Sequence, residues 1–273
     1  MGVTVPVLTY HSMRAGHDAY AENDHTALTE DLELIHRLGL RILPLETLVE
    51  HLLLGRLHEC TGSVCLSFDD GPDLDWRDIP HPQFGLQKGM ARILREFASR
   101  TKRADVHATA FVIAGPEARR TLDRTCMLGL GWWEDNWWPQ ARQQGMSIGN
   151  HSWDHNHATL THFTPGCGEP GSFNGIDSYS ACDLQIRQAA DYIDTRLGHR
   201  QCRLLAYPFG EYSEYLIHEY LPHHQHEHRQ IAGFTTAGEP VHAHANRWCL
   251  PRFVCGDHWR SPEELASILL GRA

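Results

Sequence analysis

Ser63-Val64-Cys65-Leu66-Ser67-Phe68-Asp69-Asp70-Gly71-Pro72 is the stretch on which the reading of this chain turns. Six uncharged residues rich in Val, Leu and Phe read as a buried strand. They run into two carboxylates and then two chain-turning residues. In a continuing strand, adjacent side chains point to opposite faces. At a strand end the backbone turns, and both carboxylates can reach one pocket. At close range they repel, so they want a cation or a proton between them. A plain polar Asp-Gly turn is the competing reading.

Working outward, strand-like runs alternate with helical ones. Strands are expected at 3–9, 41–43, 106–113, 146–148, 204–207 and 231–235 as well as 63–68. Helices are expected at 28–38, 45–54, 87–99, 137–144, 180–197, 213–221 and 262–270. Leu32, Ile35 and Leu38 share one face of the first helix. Gly55 and Gly198 end two others, and Ser261 is placed to cap the last. Such alternation argues for a parallel sheet with crossover helices. At 273 residues, an incomplete α/β barrel fits better than two domains. We therefore expect one domain over 1–273, with functional loops inserted near 73–85, 123–139 and 163–178.

Composition narrows the function. Lys plus Arg number 24 and Asp plus Glu 34, a net charge of −10, which disfavours nucleic acid and anionic membranes as partners. No stretch has the ~18 apolar residues of a membrane span. The 21 histidines point toward metal or proton chemistry. The 8 cysteines are irregularly spaced and include no C-x-x-C, so they read as free thiols rather than disulfides or a zinc knuckle. If Met1 is native the chain is expected in the cytoplasm. If a leader was removed, an extracellular or periplasmic site is expected.

A second motif, Gly149-Asn150-His151-Ser152-Trp153-Asp154-His155-Asn156-His157, follows the strand at 146–148. On a helical turn His151 and His155, four apart, would share a face. Two imidazoles plus a carboxylate make a three-ligand metal site with an open position for water. His157 falls off that face. A third motif, Ala206-Tyr207-Pro208-Phe209-Gly210-Glu211-Tyr212, breaks a strand at Pro208, where Gly210 permits an unusual backbone angle. Backbone N–H groups exposed there can serve an oxyanion.

In this order the three motifs resemble the polysaccharide deacetylase family (carbohydrate esterase family 4, the NodB-homology domain). Pro6-Val7-Leu8-Thr9-Tyr10-His11 and Leu250-Pro251-Arg252-Phe253 look most like its poly-N-acetylglucosamine deacetylase branch. The resemblance implies an α/β fold, a distorted, incomplete (β/α) barrel. It implies one divalent metal, zinc first, with cobalt, nickel or iron also accepted by the donor set. Asp70, His151 and His155 would be its ligands and Asp69 the general base. The ion acidifies a water and polarises an amide carbonyl, Asp69 takes the proton, and the Phe209 N–H helps to hold the oxyanion. The implied partner is an acetylated amino-sugar polymer, oligomer or glycoconjugate, with Tyr207 and Pro208 beside it. The implied reaction is hydrolysis of its N-acetyl groups.

Two departures matter. Many family members carry an Arg two residues before the third motif's proline. Here that residue is Ala206, and Arg252 is the expected substitute. The family's late Leu-x-His motif, which supplies the acid, is missing. In the branch named above that histidine lies on the first strand, which makes His11 the expected acid and His258 the runner-up. The insertion also places Trp132, Trp133, Trp137 and Trp138 within seven residues, either a sugar-stacking platform at Trp132 and Trp133 or a hydrophobic plug. The histidines at 223–228 read as an exposed, charge-switchable loop. Hydrolysis of a cyclic amide or ureide on the same fold, or a catalytically silent sugar-binding domain, are the alternatives.

Overall fold

The computed structural model describes residues 2–16, 18–160, 167–199 and 201–272. Pro6 has no N–H for a sheet ladder, so the first predicted strand divides into Thr4–Val5 and Val7–Tyr10. The main sheet comprises, in chain order, β1 (Val7–Tyr10), β2 (Arg41–Ile42), β3 (Ser63–Phe68), β4 (Thr109–Val112), β5 (Ser147–Asn150), β6 (Leu204–Ala206), β7 (Ala232–Phe234) and β8 (Phe253–Val254). Its spatial order is β7-β6-β5-β4-β3-β1-β8, with β2 also on β3. Every pair is parallel. The sheet curls until its edges share one segment. Leu250 bridges Phe234 of β7, and three residues later Phe253 pairs with Leu8 of β1. This is the distorted, incomplete barrel that the sequence predicts.

Parallel neighbours require crossovers, and helices supply them. The helix Asp24–Arg37 starts at Asn23, whose side chain accepts from the N–H groups of His25 and Thr26, and it buries Leu28, Leu32 and Ile35. The helix Met90–Thr101 buries Met90, Ile93, Leu94 and Phe97 on one face. Inside the barrel the Phe111 ring fills the space that Gly149 leaves open. A Cβ at Gly149 would lie 2.5 Å from that ring.

Some elements differ from expectation. The helix Pro116–Cys126 was not foreseen, because its exposed face is charged and few apolar residues mark its buried side. The expected insertion at 73–85 holds a hairpin, Ile79–His81 paired with Gly85–Gln87. In the expected 163–178 insertion, residues 163–166 lie outside the described residues. The helix expected at 180–197 begins at Tyr179 and loosens into a π segment over Asp183–Gln188. The histidine-rich tract is not an exposed loop. It forms the short helices Leu221–His223 and Gln225–His228. His228 is buried at its end, with Nε2 3.0 Å from the Leu221 carbonyl. Among the described residues no disulfide joins any of the cysteines.

The tryptophans mostly plug the core. Trp137 stacks on Trp76 with centroids 6.4 Å apart and planes 8° apart. Trp138 meets Trp137 and Tyr192 edge-on, and the Arg119 guanidinium lies 5.0 Å over its ring. Elsewhere, buried Asp31 accepts hydrogen bonds from Tyr10 Oη (2.9 Å), Tyr20 Oη (2.5 Å) and Trp259 Nε1 (3.2 Å). It thereby joins the first crossover helix to β1 and to the chain after β8.

Burial pushes the Asp31 carboxyl up to about 7, from an ordinary 3.8, despite those three donors. The folded state therefore holds this proton more tightly than the unfolded state. The associated stability is fully present below about pH 4 and is lost as pH rises to about 7, on the order of 4 kcal/mol. Asp31→Asn should flatten this slope. Urea unfolding at pH 4 and pH 8 should show the wild type losing stability relative to the variant across that window.

Candidate functional site

The residues singled out in the sequence gather at the carboxyl ends of the strands, where parallel barrels build their sites. Asp69 continues the ladder of β3, donating its N–H to the Tyr10 carbonyl at 3.1 Å. Asp70 then turns into the left-handed region at φ 75°, so the two carboxylates do not diverge. Gly71 follows at φ 75°, and a Cβ there would lie 2.6 Å from Val112 Cγ1. Only glycine fits beneath that turn.

His151 leaves β5 with its N–H on the Val112 carbonyl at 3.0 Å. The stretch to His155 is not the helical turn expected from the spacing. Ser152, His155 and Asn156 all have positive φ, at 70°, 64° and 42°, and the chain doubles back as a loop. Polar side chains stabilise it. Asn150 Oδ1 accepts from the Ser152 N–H (2.8 Å), and Ser152 Oγ from the His155 N–H (2.9 Å). Asn156 Nδ2 donates to the carbonyls of Cys167, Glu169 and Ser172. Nothing in the spacing of these supporting residues announces their role.

The loop brings His151 Nε2 and His155 Nε2 to 3.5 and 3.6 Å from Asp70 Oδ1. Asp70, His151 and His155 have ligand atoms all within 4.8 Å of one another. A tetrahedral dication with bonds of about 2.1 Å separates its ligands by about 3.4 Å, so these residues fit such an ion. His151 Nδ1 lies 2.9 Å from the Ala206 carbonyl. That bond fixes the tautomer and leaves Nε2 as the free lone pair, the usual support of a metal-binding imidazole.

The charges are arranged around that point. Burial alone would raise the Asp69 carboxyl, but Arg252, helped by His151, holds it below the usual carboxylate range. Burial acts the same way on Asp70, and the hydrogen bond from His151 and the charge of His155 bring it well below that range. Burial lowers His155, with the neighbouring His151 adding to it, to about 3. Burial also lowers His151, but Asp69 and Asp70 reverse the effect and raise it.

Arg252 is fully buried. Its NH1 and NH2 each donate to one oxygen of Asp69 at 2.7 Å, and its Nε donates to the Thr235 carbonyl. The guanidinium lies 5.3 Å over the Phe111 ring. Arg252 thus supplies the guanidinium that position 206, an alanine here, does not. The carboxylate is thus held by a planar fork, a geometry lysine cannot supply.

A cavity of about 250 Å³ opens over these groups, lined among others by His11, Met13, Asp69, Asp70, Cys126, Trp133, His151, His155, His157, Tyr207, Phe209 and His258. His11 enters from the end of β1, its own N–H held by Asp24 at 2.7 Å. His258 enters from after β8, its Nδ1 accepting the Val254 N–H at 2.8 Å. Phe209 has φ 60° and sets its ring edge-on to His155, with centroids 4.5 Å apart. Tyr207 reaches the cavity, but its hydroxyl is engaged with the Trp248 carbonyl at 2.7 Å. Pro208 is buried and bends the chain without lining the cavity. Trp133 is buried at the wall and donates from Nε1 to the Asp70 carbonyl (3.0 Å). Trp132 lies outside this lining. Cys126 and His157, 3.9 Å apart, also line the cavity; His157 closes the second motif, off the face expected for His151 and His155, while no motif identified Cys126.

A polysaccharide deacetylase family model matches residues 58–221, a span that holds Asp69, Asp70, His151, His155 and Phe209 but neither His11 nor Arg252. No curated protein matches the chain in sequence. Among solved structures, the chain is similar to Streptococcus pyogenes deacetylase PplD in complex with acetate, with TM-score 0.67 and 20% identity over 98% of this chain and 99% of that one. It is similar to IcaB from Ammonifex degensii, with TM-score 0.65 and 18% identity over 100% and 99%. It is also similar to a de-N-acetylase from Aggregatibacter actinomycetemcomitans, with TM-score 0.63 and 12% identity over 96% and 99%. At these identities the likeness is one of fold.

Removing one member of a buried ion pair strands the other. Arg252→Met should therefore destabilise the fold by about 3–5 kcal/mol. Arg252→Lys, which keeps the charge but loses the fork, should fall between that variant and the wild type. Urea denaturation at neutral pH measures both.

Proposed function

Because the chain belongs to the polysaccharide deacetylase family, we propose that it is a metal-dependent hydrolase that removes N-acetyl groups from an amino-sugar chain. The observation that carries this reading is the convergence of Asp70, His151 and His155 on one point, with Asp69 locked beside them by Arg252. Asp70, His151 and His155 would hold a divalent ion. When bound, that ion supplies Lewis acidity, lowering the pKa of water toward neutrality and polarising the amide carbonyl.

The chain's own residues supply the rest. Asp69 is the base. Its ionised state is maintained by Arg252 rather than by solvent, so it is ready to accept a proton from the attacking water. The backbone N–H of Phe209, beside His155, is assigned to the oxyanion of the tetrahedral intermediate. An amine leaves only once protonated, so an acid is needed on the other side.

His11 suits that role better than His258. A general acid of this kind is an imidazolium, with both ring nitrogens protonated. His258 Nδ1 accepts the Val254 N–H, so protonating that nitrogen breaks the bond. His258 can still donate from Nε2 as a neutral ring. Among the described residues the His11 ring accepts no such bond, and its backbone is fixed by Asp24, which is itself paired with Arg14 at 3.1 Å.

Acetate release from N-acetylated chito-oligosaccharides should vanish on chelation and return with zinc or cobalt. A panel of cyclic amides tested in parallel should remain unhydrolysed. Turnover only on the ring amides, or sugar binding without turnover, would overturn the reading. His11→Gln should lower kcat by about 10²–10⁴-fold while metal content, measured by mass spectrometry, stays at the wild-type level. His258→Gln should cost less. Equal loss of metal and activity in His11→Gln would make His11 structural.

A further inference from the structure

His25 lies in the first turn of the helix Asp24–Arg37 and is only 7% exposed. Both of its ring nitrogens face main-chain carbonyls. Nε2 lies 2.8 Å from the Ser12 oxygen and Nδ1 2.6 Å from the Lys88 oxygen. Among the described residues, no backbone N–H reaches either of those oxygens, so each depends on the ring for a donor. A carbonyl oxygen only accepts, and a neutral imidazole carries one N–H. A neutral ring in this place would set a lone pair against a carbonyl oxygen at hydrogen-bond distance. Only the imidazolium, with two N–H groups, satisfies both contacts.

The two carbonyls belong to different parts of the fold. Ser12 sits between His11 and Met13, both of which line the catalytic cavity. Lys88 leads into Gly89, which starts the helix Met90–Thr101. The ring thus bridges the segment that presents His11 to a crossover helix. The other ties on that segment hold different atoms. Asp24 accepts the His11 N–H at 2.7 Å, and Asp75 accepts from Ser12 Oγ at 2.5 Å. The charged groups on the surrounding elements are engaged with one another. Asp24 pairs with Arg14, Asp78 with Arg92, and Lys88 Nζ with Glu96 at 2.8 Å. No carboxylate among the described residues pairs with the ring. Burial accordingly lowers His25 below its ordinary 6.5, although the Ser12 and Lys88 carbonyls oppose the shift.

We propose that His25 is a positioning residue for His11: the doubly protonated ring bridges Ser12 to Lys88, and loss of one proton breaks the bridge. The proposal rests on the deacetylase reading, in which His11 is the acid, and adds a control of that same site by pH. Whichever nitrogen keeps its proton, the other then turns a lone pair on a carbonyl, and the His11 segment is no longer joined to the helix. The bridge is complete on the acid side of the His25 titration and broken on the alkaline side.

The test compares wild-type holoenzyme with His25→Gln, whose amide presents N–H groups at one end only and so imitates the neutral ring at every pH. Acetate release from N-acetylated chito-oligosaccharides is followed from pH 4.5 to pH 8, with metal content measured at each pH. The ratio of wild-type to variant kcat should be roughly 10-fold at the acid end and approach unity at the alkaline end, with KM and metal content matched. A ratio that is the same at every pH makes His25 merely structural and overturns the proposal. So does a loss carried by KM or by the metal. A second measurement does not depend on the variant's folding. With the histidines of the wild type labelled with nitrogen-15, NMR should show the His25 ring bearing two N–H protons at the acid end and one at the alkaline end. A count that does not change with pH overturns the proposal. If the wild type releases acetate from no sugar, the deacetylase reading itself fails. The bridge is then judged by the NMR count alone, a change from two to one supporting it and a constant count refuting it.

Discussion

One ion pair organises this molecule. Asp69 and Arg252 are 183 residues apart in sequence, and they meet inside the barrel, Arg252 fully buried and Asp69 nearly so. Burying either charge alone is costly, and the pair is tolerated only because the fork is bidentate and the guanidinium's Nε has its own acceptor. Its position is set by topology. Arg252 belongs to the short segment that touches both edges of the curled sheet, and Asp69 ends a central strand. Closing the sheet and setting the charge state of Asp69 are consequently one event.

Around that pair the backbone is repeatedly forced into an uncommon shape. Of the seven non-glycine residues with positive φ among the described residues, Asp70, Ser152, His155, Asn156 and Phe209 belong to the candidate site or the loop that builds it, and Lys102 and Arg229 lie elsewhere. Such conformations cost of order 1–3 kcal/mol each and persist where the surroundings over-determine them. Here the over-determination is visible. Asn150, Ser152 and Asn156 bind the loop's backbone from within, and Gln185 reaches in from a neighbouring helix to the Trp153 N–H and the Asp154 carboxylate. The site is stiff because its strain is distributed over many hydrogen bonds.

Much of this was legible beforehand, and the remainder was hidden for identifiable reasons. The strand Ser63–Phe68 has the bounds its composition implied, because a fully buried parallel strand excludes charge and a carboxylate pair marks its end. The convergence of Asp70 with two histidines was legible as chemistry but not as geometry. An i,i+4 spacing suggests a helix, and only a run of left-handed residues, which single-residue preferences do not announce, turns it into a loop. The exchange of Ala206 for Arg252 was readable as a missing arginine and a candidate, while the seam that brings Arg252 to Asp69 is a property of the whole sheet. The helix Pro116–Cys126 and the hairpin at 79–87 escaped because both are surface elements whose periodicity is diluted by polar residues.

The seam also governs when the site comes into being. A chain emerging residue by residue can assemble the strands that carry Asp69, Asp70, His151 and His155 long before residue 252 is made. Until that arginine arrives, a buried Asp69 lacks the guanidinium that does most to hold its charge. Contacts of such long sequence separation form late, after the loop-closure entropy has been met. A nascent chain lacking the closing segment lacks the guanidinium that pairs with Asp69, so the charge state of that carboxylate is set only once the end of the chain is in place.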